Sequence, residues 1–211
     1  MKIRFLESID STQVYLKKLL VEKRVVSPYA VVAKIQTAGQ GSRDNSWIGL
    51  EGNLFLSFSL PLTSLTQDLK LESASIYFAY ILKMTLEEEK SQVWLKWPND
   101  FYLGKQKIGG MITNVINDSL VCGVGLNLKT AQKDFAKLDI EISIEKLLEK
   151  YFKNLEKEFS WKQVFSKYKL EFYKNQNFST HEKNEKIPLG DAHLEDDGSI
   201  TNNGIRIYSR R

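Results

Sequence analysis

The 211-residue chain predicts an α+β fold, a mixed β-sheet backed by helices, with a small β appendage at its C-terminus. Three features of the sequence carry that expectation. Residues 92–97, 108–116 and 119–127 all read as strands, with Asn117-Asp118 as the tight turn between the last two. Residues 67–88 carry apolar residues at helical spacing on more than one face, the pattern of a well-buried helix. The tail contains Asp197-Gly198 and Asn203-Gly204, two hairpin signals between short strands. The expected division is a main domain over 1–180 and a small β domain over 181–211.

Taken in order, residues 2–7 alternate as a first strand. Asp10-Ser11-Thr12-Gln13 then opens a helix running to Lys23, capped by Asp10 or Ser11, with Gln13 completing a capping box from Asp10. Residues 30–36 form a β-branched buried strand, and 38–52 a polar, glycine-bearing loop. In 53–60, Leu54, Leu56, Phe58 and Leu60 share one strand face. After the β region, Ile144, Leu147, Leu148, Tyr151, Phe152 and Leu155 keep helical spacing, and Ser160 with Gln163 opens a second helix.

Composition excludes several classes. Hydrophobic residues make up 42% and charged residues 27%, the balance of a soluble globular protein. With one cysteine, Cys122, no internal disulfide forms, and two histidines, His181 and His193, make a Cys/His zinc site a poor expectation. Glu7 sits where a signal peptide needs its apolar region, and no apolar run reaches membrane-spanning length. A reducing cytoplasm and no membrane partner are expected. The formal charge of +4 fits a lysine-rich solvated surface better than a nucleic-acid stripe, because lysines alternate with glutamates from Leu147 to Phe159.

Four segments concentrate chemistry. In Gln36 to Trp47, Gly39 and Gly41 allow a tight backbone turn that offers N–H groups to anionic oxygens, Arg43 is suited to phosphate, and Trp47 to stacking on a ring. Alone, this segment reads more readily as a polar surface loop, because a lone Gly-x-Gly is a weak signal. In Lys96-Trp97-Pro98-Asn99-Asp100 a strand ends at proline, and Asp100 could orient a hydroxyl, a metal ion or an amine; an ordinary turn is an equal alternative. Lys107 precedes Gly109-Gly110, which sets a cation beside bare backbone; the alternative is a sheet-edge lysine at a bulge. In Gly123-Val124-Gly125-Leu126-Asn127 the alternate glycines clear one strand face for something flat or narrow, with Asn127 on the same face; the alternative is close packing against a neighbour.

Together, in order and spacing, these segments and Asp10-Ser11-Thr12 resemble the catalytic domain of biotin protein ligases over residues 8–128. The resemblance implies a fold like class II aminoacyl-tRNA synthetases, with an SH3-like β appendage matched only in general character. It implies ATP, biotin and Mg2+ as small-molecule partners, formation of biotinyl-5′-AMP, and transfer to a lysine of a biotin carboxyl carrier protein, an acetyl-CoA carboxylase subunit. Ser11, Thr12, Gln13, Gln36, Gln40, Gly41, Ser42, Lys107, Gly123 and Gly125 are the implied biotin contacts. Gly39, Arg43, Trp47, Asn99, Asp100 and Asn127 lie on the implied nucleotide side, with Mg2+ near Asp100 and Asn127; Lys107, Arg43 and Asp100 are the implied catalytic groups.

Two departures stand out. The family's loop reads Gly-Arg-Gly-Arg, another residue, glycine and a base; here Gln40 and Ser42 replace both arginines and Asp44 the glycine, leaving Arg43. Either Arg43 takes over the phosphate contact or the loop holds the adenylate differently. The motifs also begin at Asp10, so no helix-turn-helix domain and no DNA partner are expected; a monomer and a homodimer remain equally open. The alternatives in function are a lipoate or octanoate ligase or transferase of the same fold, a non-catalytic biotin-binding module and, on charge alone, a nucleic-acid-binding module.

Overall fold

The computed structural model describes residues 1–41, 46–182 and 185–209, so the expectations for Ser42, Arg43 and Asp44 lie outside the described residues. Strand β1 (Lys2–Ile9) leads through helix α1 (Thr12–Val21) to β2 (Tyr29–Gln40), which pairs parallel with β1. A short strand β3 (Ser46–Gly49) folds back on β2, and β4 (Leu54–Pro61) pairs antiparallel with β2. Helix α2 (Ala74–Glu88) then precedes β5 (Trp94–Lys96), β6 (Asp100–Leu103), β7 (Gln106–Ile116) and β8 (Ser119–Leu126). The strand order is β1-β2-β4-β8-β7-β6-β5, with β3 attached to β2. One parallel pair in an otherwise antiparallel sheet is the mixed sheet expected.

Period-2 alternation decides which layer covers which face. Leu54, Leu56 and Phe58 of β4, with Leu120, Cys122, Val124 and Leu126 of β8, face the main core, where α2, α3 (Ile144–Leu155) and α4 (Trp161–Glu171) pack. Phe58 meets Phe78, Tyr151 and Phe152 edge-on there, each with ring centroids within 5.9 Å. The intervening residues Ser57, Ser59, Val121, Gly123 and Gly125 turn to the other face. On that face α1 packs through a small cluster of Leu16, Leu20, Tyr29, Val31 and Val121.

Several boundaries differ from expectation. Ser11 caps α1 by accepting from Val14 N, while the Asp10 carboxylate accepts from Thr37, so the capping box from Asp10 to Gln13 does not form. Strand β2 runs on to Gln40 and pairs with β3, so much of the expected 38–52 loop is a polar hairpin. The helix expected over 67–88 starts at Ala74, after a 3-10 turn at Leu71–Ser73. The capping box at Ser160 and Gln163 forms as expected.

The tail forms a pair, β9 (Ser179–Glu182) with β10 (Glu185–Pro188), and a three-stranded sheet of β11 (His193–Leu194), β12 (Ile200–Asn202) and β13 (Ile205–Ile207). Asn203 and Gly204 both have positive φ, 48° and 75°, as their hairpin turn requires. Leu189, Ile200 and Ile207 join the main core. Trp97 and Trp161 donate their indole N–H groups to Gly198 O and Asp196 O, both at 2.8 Å, which ties the tail to the end of β5 and the start of α4.

Candidate active site

A cleft opens on the α1 face of the sheet. Its floor is β8, where Gly123 and Gly125 project no side chain. A β-carbon on Gly123 would collide with Gln13 Oε1, and one on Gly125 would lie 2.6 Å from the Trp47 indole nitrogen. The space the glycines clear is therefore taken by side chains that belong to the cleft itself.

The closed end is polar. It is built by the first residues of α1 with Gln36 of β2 and Ser57 of β4. Gln36 Oε1 accepts from Thr12 N at 2.7 Å and from Thr12 Oγ1 at 3.0 Å. Thr12 Oγ1 is 2.9 Å from Ser57 Oγ, and Ser57 Oγ is 3.3 Å from Gln13 Oε1. Ser11, Thr12 and Gln13 are each 3% exposed, so these groups meet a ligand from inside the protein rather than from solvent.

Trp47, from β3, lies across the middle of the cleft. Phe135 meets it edge-on at 5.8 Å, and its Nε1–H is buried without a partner among the described residues. An unpaired buried donor is costly, and its place beside Gly125 makes it a ready contact for an acceptor on a ligand. Gly39 is paired with Trp47 in the β2–β3 register and has no room for a β-carbon; it lets the hairpin close, while Gln40 and Gly41 line the cleft.

The open end is charged. The Lys96–Asp100 turn is pinned by buried Trp97, whose N–H donates to Asn175 Oδ1 at 2.8 Å, and by Asn99, whose side chain donates to Met111 O. Lys107 Nζ donates to Asp100 Oδ1 at 2.7 Å, and Lys96 Nζ lies 3.9 Å from Oδ2. Two lysines around one carboxylate leave an excess positive charge where Lys107, 28% exposed, borders the cleft. Gly110 opens toward Asp100, whereas Gly109 is packed against the backbone of Gly125. The Tyr102 phenol, pushed up to about 12 by burial and by the charge of Asp100, stays neutral. Burial likewise raises the Cys122 thiol, which removes it from chemistry.

Most expected site residues among the described ones thus converge on one cleft; Gly39, which closes the hairpin, and Asn127 do not line it. Asn127 lies just past the end of β8. Its Nδ2 donates to Ala136 O at 3.1 Å, and its Oδ1 faces Asn53 Nδ2. Asn53, which the motifs do not mark, organises this region: its Oδ1 accepts from the N–H groups of Leu128, Lys129 and Thr130. Among the described residues no group of three His, Cys, Asp or Glu could hold a metal ion, and the Asp100 carboxylate is occupied by lysines.

The model of the Biotin/lipoate A/B protein ligase family matches residues 5–130. The bifunctional ligase/repressor BirA of Salmonella typhimurium is 31% identical over 137 residues, 60% of this chain and 40% of that protein. The chain thus spans about 40% of the length of the BirA relatives from Salmonella typhimurium and Escherichia coli. Biotin acetyl coenzyme A carboxylase synthetase from Helicobacter pylori, solved with bound biotinylated ATP, is 40% identical, with a TM-score of 0.94 over 98% of this chain and 99% of that one. Biotin protein ligase from Aquifex aeolicus, in complex with biotin and ATP, is 26% identical, with a TM-score of 0.77 over 98% and 95%.

Proposed function

The chain belongs to the Biotin/lipoate A/B protein ligase family, and from that premise we propose that it activates biotin with MgATP and joins it to a lysine of a carrier protein. One observation carries the choice of ligand. The cleft runs from a closed, hydrogen-bonding end, across a glycine floor, to a lysine at its mouth. That sequence of environments suits a small ring with polar edges, a narrow body and a carboxylate tail.

In the proposed first step a biotin carboxylate oxygen attacks the α-phosphorus of ATP; the O–P bond forms and pyrophosphate leaves. In the second the carrier lysine's ε-amine attacks the acyl carbon of biotinyl-5′-AMP, an amide forms, and AMP leaves. The chain's part is placement and charge. Lys107 exchanges its hydrogen bond with Asp100 for the two incoming anions, whose repulsion it offsets. Asp100, still beside Lys96, orients the amine of the second step. Trp47 covers the middle of the cleft and keeps water from the mixed anhydride. Arg43 and the backbone at Gly41, just past the end of β2, hold phosphate. Mg2+ would accompany the nucleotide and offset the charge of its phosphates.

The carrier is proposed to be the biotin carboxyl carrier protein of acetyl-CoA carboxylase. Mass spectrometry of such a carrier domain, after mixing with the chain, MgATP and biotin, tests the reading: the carrier should gain one biotinyl group. The family model's description also covers lipoate ligases. A gain from lipoate or octanoate, and none from biotin, would replace the proposed substrate.

A further inference from the structure

Gln13 stands at the closed end of the cleft, 3% exposed, with its carbonyl oxygen over Gly123. Which end of its amide faces the ligand decides what the cleft recognises, because one end only accepts and the other only donates. That orientation is controlled from outside the cleft. Gln13 Nε2 donates to Asn114 Oδ1 at 2.9 Å, and Lys17 Nζ donates to the same oxygen at 3.3 Å. Asn114 is on β7, exposed, and does not line the cleft. A lysine ammonium has no acceptor, so the Asn114 atom facing Lys17 is its oxygen. The Gln13 atom sharing that oxygen must then be its nitrogen, and Oε1 is turned toward the cleft.

A proton count shows what Oε1 has left to offer. Gln36 Oε1 cannot donate, so the single hydroxyl proton of Thr12 goes to it. Ser57 has one proton to share between Thr12 Oγ1 at 2.9 Å and Gln13 Oε1 at 3.3 Å. Even when Ser57 donates to Gln13 Oε1, a second lone pair of that oxygen remains for a ligand, buried where a hydrogen bond is least exposed to competition from water.

We infer that Asn114 is a positioning residue for ligand recognition: with Lys17 it locks the Gln13 amide so that the closed end of the cleft presents an acceptor to a ligand N–H. This rests on the proposed biotin ligase reading and names what tunes its ring-binding end. Without Asn114 the amide would be free to turn its donor inward and set it against that N–H.

The test compares Asn114→Leu, which removes the acceptor, with Asn114→Asp, which keeps one for both Gln13 and Lys17. Calorimetric biotin affinity and KM values for biotin and ATP in pyrophosphate exchange are measured, with thermal unfolding as a check on the fold. Asn114→Leu should weaken biotin binding and raise the KM for biotin about fivefold, the worth of one hydrogen bond. Its KM for ATP, kcat and unfolding midpoint should stay at the parent values. Asn114→Asp should restore biotin affinity to within about twofold, as a retained acceptor requires. Unchanged affinity in Asn114→Leu, or an equal loss in Asn114→Asp, overturns the inference while leaving the proposed function standing. A parent protein that binds no biotin overturns both.

Discussion

The Trp47 indole rests on Gly125, its nitrogen 2.6 Å from where a β-carbon on that glycine would sit. Any side chain at 125 must displace Trp47 and fill the cleft at once. Gly125→Val should therefore abolish biotin binding measured by calorimetry. The protein should stay folded by circular dichroism, since a β-branched residue suits a strand. Biotin affinity equal to the parent's would mean that the glycine serves packing alone.

Lys107→Ala should cost activity far more than stability. Its ammonium is the cation at the cleft's mouth, and its removal leaves Asp100 with Lys96 alone. Loss of such a preorganised charge typically costs ~3 kcal/mol in the transition state, roughly a hundredfold in rate. Biotin-dependent pyrophosphate exchange reads it, and an exchange rate near the parent's would remove Lys107 from the mechanism.

Glu171 links α4 to α2 far from the cleft. It accepts from buried Lys83, 1% exposed, from Tyr80 Oη at 2.6 Å and from Lys174 at 2.9 Å. Burial opposes its charge, but the hydrogen bonds from Lys83, Tyr80 and Lys174 outweigh that and hold its carboxyl below the ordinary 4.5. A depressed carboxyl stabilises the fold above the unfolded value, and the stabilisation fades as pH falls through the lower folded one. Glu171→Gln should therefore lose about 2 kcal/mol at pH 7 in urea unfolding. The gap to the parent should narrow below pH 4.5. A pH-independent gap would show that packing, not ionisation, carries the effect.

Asn53, 1% exposed, gathers three successive backbone N–H groups, from Leu128 at 3.0 Å to Thr130 at 3.2 Å. Asn53→Ala strips that acceptor. Residues 129 and 130 are exposed and water takes up part of the loss, so the expected cost is about 2 kcal/mol. Chemical denaturation should detect it, and a change below the error of the method would assign the loop's order to other contacts.

Strand periodicity explains what could be read in advance. Gly123 and Gly125 alternate, so they had to share a face, and Lys107 and Asp100 meet because β6 and β7 are a tight antiparallel pair. Asn127 would have continued the same face, but β8 ends at Leu126 and the next side chain turns to Asn53 and Ala136. Gln13 read as a cap because its spacing from Asp10 fits one, whereas Asn114 of β7, outside the cleft, claims its amide. Asn53 follows Gly52 and looks like any turn residue; only the return of the chain at 128–130 reveals its task. The polar β2–β3 hairpin lacks the apolar alternation by which strands announce themselves, and residues 67–70 lack the periodicity to extend α2.

The two faces of the sheet are unequally anchored. Three helices cover one, while α1 packs on the other through a cluster of five buried residues, of which it supplies Leu16 and Leu20. Amide hydrogens in α1 should consequently exchange through local opening, well before the strands beneath it, which exchange only on global unfolding. The start of that helix is also the closed end of the cleft, so a ligand bridging Thr12 and Gln13 to the sheet would fasten the layer that is otherwise quickest to lift. Exchange protection along α1 then becomes a gauge of occupancy, recorded in the backbone rather than in turnover.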